Sequence, residues 1–146
     1  MAGFDDHRDP RQIAHEALTQ IRTTLTRHPA ITTVEGLPHD TLYTTLEATV
    51  EPSYIGADRP PGTLTVRWFV DTTVEGPRFT FHYTDDSGFD CGWHNHEQDH
   101  VEGIGHYQER SHPEDAYTYS PHHFNSREPA RLTWSVLSQL ESVLQA

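Results

Sequence analysis

The 146 residues suit one domain with an economical core: 34% are apolar, and a chain of this length buries roughly two thirds of the surface it exposes when unfolded. Twenty-two acidic residues against ten arginines and no lysine leave a net charge of −12. This composition suits a salt-rich cytoplasm in which carboxylates keep the surface hydrated, so global charge says little about nucleic acid, because a local Arg/His patch can still meet phosphate. The lone Cys91 excludes an intramolecular disulfide and a cysteine-based zinc site, the opening MAGFDDHRDP reads as too polar for a signal peptide, and no apolar run approaches the roughly 18 residues of a membrane span; a cytoplasmic location without membrane partners is expected.

Residues 1–8 read as a disordered tail. Asp9 followed by Pro10 predicts an N-cap with proline in the first turn. Ile13, Ala14, Ala17, Leu18, Ile21 and Leu25 then recur at spacings of three and four, which predicts a core-facing helix from about 10 to 27. His15 and His28 fall off that stripe and read as solvated. Leu42, Leu46, Ala48 and Val50 predict a half-buried strand over 42–50. Residues 51–62, with three prolines and two glycines, read as a loop.

Thr63 to Asp71 alternates Leu64, Val66, Trp68 and Val70 against polar residues and predicts another strand. From Pro77 to Thr84, Phe79, Phe81 and Tyr83 share one side while Arg78, Thr80 and His82 share the other. The turn Asp85-Asp86-Ser87-Gly88 suits a three-residue hairpin loop with Gly88 in the left-handed region. That loop sets Tyr83 opposite Cys91, Phe81 opposite Trp93, Thr80 opposite His94 and His82 opposite Gly92. Opposed residues share a face, so the aromatics and Cys91 gather on one side and the polar residues on the other. Residues 97–103 read as a polar connection. Ile104 to Arg110 returns as a strand with Tyr107 inward and His106, Gln108 and Arg110 on the polar face, and Tyr117 with Tyr119 predicts one more short strand. His112, His122 and His123 read as turn or surface residues. Ser126 is the expected cap of a last helix whose stripe is Leu132, Val136, Leu140, Val143 and Leu144. The fold class is α+β: one domain, an antiparallel meander of about five strands, with the N-terminal and C-terminal helices on one face.

Chemistry-bearing side chains are densest between Gly88 and Arg110, where His94, His96, His100 and His106 accompany Glu97 and Asp99. Three readings stand. The first is metal-independent acid–base cleavage of RNA, without cofactor. His94 and His106 would carry protons, His82 and Arg110 would support them, and Arg78, His96 and Gln108 would contact substrate. The second is a non-catalytic domain whose polar face, or the Trp68 and Tyr54 neighbourhood, binds a partner. The third is a metal-dependent hydrolase, since His94 and His96 point to one face of a strand and His106 or His82 can complete a three-nitrogen set. Cys91 points into the core, where a thiol is inert.

The segment FHYTDDSGFDCGWHNHEQDHVEGIGHYQER resembles a family of small haloarchaeal proteins that share FHY, SGFDCGWH and GHYQER, over the region from about Arg78 to the C-terminal helix. More loosely, the order strand, polar turn, strand ending Trp93-His94, His-rich loop and short return strand is similar to TumE-type toxins of toxin–antitoxin pairs. That family has paired histidines after its tryptophan, where this chain has single ones at His94, His96 and His100. The likeness implies a cytoplasmic ribonuclease-type toxin, held in check by a helix-turn-helix antitoxin and acting on RNA.

Overall fold

A computed structural model describes residues 9–70, 76–96 and 105–146. The tail expected over 1–8, the end of the strand expected to reach Asp71, and the polar connection over 97–103 with His100 lie outside the described residues.

Helix α1 (Pro10–Leu25) leads into strands β1 (Ile31–Leu37), β2 (Thr45–Val50), β3 (Gly62–Phe69), β4 (Arg78–Asp85), β5 (Asp90–Asn95), β6 (Gly105–Arg110) and β7 (Thr118–Pro121), followed by helix α2 (Pro129–Gln145). The strands form one sheet in sequence order, each antiparallel to its neighbours. The sheet therefore has seven strands where patterning predicts about five. The strand that gave no signal is β1, in which only Gly36 of ITTVEGL is buried. An edge strand pairs on one side and can carry polar residues at most positions, so it lacks the period-two apolar pattern. The 51–62 loop holds a short 3-10 turn, Pro52–Ile55.

The helices begin where backbone chemistry requires. Asp9 accepts from the Arg11 backbone N–H at 2.9 Å, with Pro10 in the first turn. At α2 the cap is Glu128 rather than Ser126. Its Oε2 accepts from Arg131 N at 2.8 Å, while Ser126 Oγ only accepts from Glu128 N at 3.1 Å, because Pro129 at the first helical position places the cap immediately before it. Leu18 and Ile21 of α1, Val136 and Leu140 of α2, and Leu64, Phe81 and Trp93 of the sheet belong to one buried cluster, so both helices cover the same side of the sheet. Trp93 Nε1 donates to Gln139 Oε1 at 2.9 Å, tying α2 to β5.

Two histidines read as solvated are structural. His28 is 8% exposed; its Nδ1 accepts from Ala30 N at 3.1 Å and its Nε2 lies 3.6 Å from Glu141 of α2. His15 Nδ1 accepts from Tyr43 N at 2.9 Å. Both satisfy backbone donors of connecting segments, a role that helical periodicity does not report. Trp68 is also no docking residue, being 6% exposed and stacked on Phe79 at 5.2 Å, whereas Tyr54 is 65% exposed.

Cys91 lies in the core with no exposure, and burial pushes its thiol up to about 12. A thiol reagent at pH 8 is expected to label the native protein only as fast as it opens, and the urea-unfolded chain at the rate of a free cysteine. Because the folded value lies above the unfolded one of about 8.5, this group's contribution to stability is full below that pH and is lost as pH rises toward 12. Rapid native labelling would contradict the register that points Cys91 inward.

Candidate functional site

The register of β4 and β5 pairs Tyr83 with Cys91, Phe81 with Trp93, Thr80 with His94 and His82 with Gly92. The three-residue loop sets it, with Gly88 at a φ of 93°. Across the next ladder His94 faces His106, Gly92 faces Gln108 and Asp90 faces Arg110. Because the aromatics of β4 and β5 turn toward the helices, His82, Asp90, His94, His106, Gln108 and Arg110 all stand on the opposite side. Three adjacent strands thus deliver imidazoles to one place.

Their contacts are specific. The His82 and His94 ring centroids are 5.2 Å apart, those of His94 and His96 5.2 Å, those of His94 and His106 5.0 Å, and those of His96 and His106 5.5 Å. His82 Nδ1 lies 3.0 Å from His94 Nε2. His82 Nε2 makes a short hydrogen bond to Asp90 Oδ1. Asp90 Oδ2 accepts from Arg110 Nε at 3.3 Å and Nη2 at 3.2 Å, and from the Tyr117 hydroxyl at 2.8 Å. Arg110 also lies over the Tyr117 ring, 4.4 Å from its centroid. Gln108 Oε1 accepts from His106 Nε2 at 3.2 Å. His96, half-buried at the end of β5, shares the face of His94, and one nitrogen from each of His94, His96 and His106 falls within 4.8 Å of the others.

This arrangement changes the roles expected of several residues. His94 and His106 do not straddle a phosphate-sized gap: their rings touch edge to face and His106 has no exposure. Burial first, then the neighbouring imidazoles of His82, His106 and His96, push His94 down to about 3, so near neutral pH it is an uncharged imidazole and offers no imidazolium acid. Arg110 is committed to Asp90 and to Pro113 O at 3.0 Å, and Gln108 to His106. Arg78 lies at the start of β4, opposite Phe69, and does not line the groove beside the cluster.

That groove, about 400 Å³, is walled by Thr65, Arg67, Thr80, Thr84, His82, His94 and His96. Arg67 was not anticipated, although its position opposite Thr80 follows once β3 is paired with β4. Asp90 is the other omission from the expected site. It was legible as a polar-face residue, but only the folded chain shows that it joins His82, Arg110 and Tyr117.

Gly92 permits the central contact. A Cβ built there would collide with His82 Nδ1 and His94 Nε2. Gly92→Ala is expected to drive the two rings apart and cost about 1–3 kcal/mol of stability, as overpacking does. Urea unfolding together with histidine side-chain NMR would check this; an unchanged His82–His94 hydrogen bond in the variant would refute it.

Fold and site together define the class: an α+β protein with a seven-stranded antiparallel meander, two helices on one face and a histidine cluster on the other. No protein-family model, curated protein or solved structure matches the chain. Among the described residues no helix is long and apolar enough to cross a membrane.

Proposed function

We propose that the groove cleaves RNA and that the protein is a cytoplasmic toxin of the TumE type, restrained by a helix-turn-helix antitoxin. One observation carries this reading: the imidazoles of His82 from β4 and of His94 and His96 from β5 and its end meet at the wall of an open groove that also presents Arg67 and three threonines, with buried His106 of β6 against His94. Attack by a neighbouring 2′-hydroxyl needs a proton carrier and positive charge for the extra negative charge of the transition state. His82 is the proton carrier: its side chain is 23% exposed on the groove wall, Asp90 holds its Nε2 from behind, and its Nδ1 takes the 2′-hydroxyl proton when that hydroxyl displaces the His94 ring it otherwise meets. Arg67, exposed on the groove wall, supplies the charge first expected of Arg110 and Arg78. The threonine hydroxyls offer hydrogen bonds to a sugar–phosphate backbone.

Induced expression without the antitoxin is expected to arrest growth, and the purified protein in high salt to cleave single-stranded RNA but not DNA of the same sequence, which lacks the 2′-hydroxyl. Equal cleavage of both polymers would remove the 2′-hydroxyl mechanism. Neither arrest nor cleavage would leave the partner-binding domain as the better reading.

A further inference from the structure

We infer that His94, His96 and His106 form a three-imidazole centre for a divalent transition-metal ion, with Asp90 and His82 as positioning residues that orient His94. The centre goes beyond the ribonuclease reading and does not depend on it.

The hydrogen bonds decide which nitrogen of each ring carries its proton. Asp90 accepts from Arg110 and Tyr117 through Oδ2, so toward His82 it acts as a carboxylate acceptor through Oδ1. His82 therefore donates from Nε2, and in its neutral form its Nδ1 holds a lone pair that accepts from His94 Nε2. The proton of His94 is thus placed on Nε2 and its lone pair on Nδ1. That Nδ1 is buried and has no hydrogen-bond partner among the described residues, an arrangement that normally costs energy and that a bound cation would repay. On the next strand Gln108 Oε1 accepts from His106 Nε2, which puts the lone pair of His106 on Nδ1 as well. Metal-binding histidines characteristically donate their second ring N–H to such a partner, which fixes the tautomer.

The same bonds exclude His82 from the ligand set, because both of its nitrogens are engaged. His96 supplies the third nitrogen. One nitrogen from each of the three rings lies within 4.8 Å of the others; a tetrahedral ion bound at about 2.0–2.1 Å needs its donors about 3.3 Å apart, so the rings turn about their χ angles to bring Nδ1 of His94 and His106 to it together with His96. A neutral, all-imidazole donor set selects the zinc, cobalt, nickel and copper class over magnesium or calcium. Since His94 and His96 also wall the groove, a fourth position would open toward it.

The test uses tag-free, full-length protein, stripped with a chelator, dialysed in high salt and titrated with Co(II) and then Zn(II), without RNA. The expected result is one Co(II) per chain, with the intense visible absorption of a low-coordinate nitrogen site, displaced by one Zn(II). His96→Ala, at the half-buried rim where truncation spares the core, is expected to weaken binding on the order of 100-fold or more. Asp90→Asn is expected to weaken it about 10- to 100-fold while keeping the stoichiometry and the Co(II) spectrum, a signature that a merely structural role would not produce. Binding well below one equivalent, a spectrum of six-coordinate aqueous Co(II), or affinity unchanged in His96→Ala would each overturn the proposal. Metal binding is read apart from cleavage, so loss of one proposal leaves the other standing.

Discussion

Replacing Asp90 by alanine is expected to lower folding stability by about 3 kcal/mol, the largest loss from any single polar side chain on this face. Asp90 is 7% exposed and joins three groups: His82 from β4, Arg110 from β6 and the Tyr117 hydroxyl just before β7. Its removal strands a guanidinium, a hydroxyl and an imidazole N–H together, and leaving one member of a buried charged pair unmatched typically costs about 3–5 kcal/mol. The lower end applies because Arg110 and His82 remain 26% and 23% exposed and regain some hydration. Tyr117→Phe, which deletes one hydrogen bond to the same carboxylate, should cost only about 1 kcal/mol. In a double-mutant cycle by urea unfolding, Tyr117→Phe should add little in the Asp90→Ala background. Full additivity of the two losses would show that the bonds are not coupled through Asp90.

His82→Ala is expected to reduce RNA cleavage by about 100- to 10,000-fold, the range associated with loss of a positioned proton carrier. Because the His82 side chain is partly exposed and lies off the apolar core, folding should survive, which circular dichroism would verify. Thr84→Ala, on the same groove wall but outside the histidine cluster, serves as the control and should change the rate only a few-fold. Single-turnover cleavage at saturating protein separates chemistry from binding. A His82→Ala rate within threefold of the parent, in folded protein, would end the assignment of His82 as proton carrier.

The sheet register was legible because two independent signals agreed. A polar three-residue loop with glycine in its last position and an alternating run of aromatics both required Phe81 opposite Trp93. Once that pair is set, Thr80 must face His94 and the histidine face follows by alternation. The edge strand β1 lacked such agreement, since most of its residues are not buried and no tight hairpin turn anchors it. The roles within the cluster were less legible for a similar reason: spacing places a side chain on a face but says nothing about which ring atom meets which neighbour.

The chain by itself determined the class of fold, the paired strands at its centre and the face on which the imidazoles emerge, because these depend on side-chain alternation and local turn chemistry. Only the tertiary structure decided that His106 is sealed from solvent, that Arg110 and Tyr117 converge on Asp90, and that Arg67 rather than Arg78 lines the groove. Those outcomes depend on where side chains from strands distant in sequence come to rest, and hydrogen-bond direction, burial and ring contact exist only once the strands have been brought together.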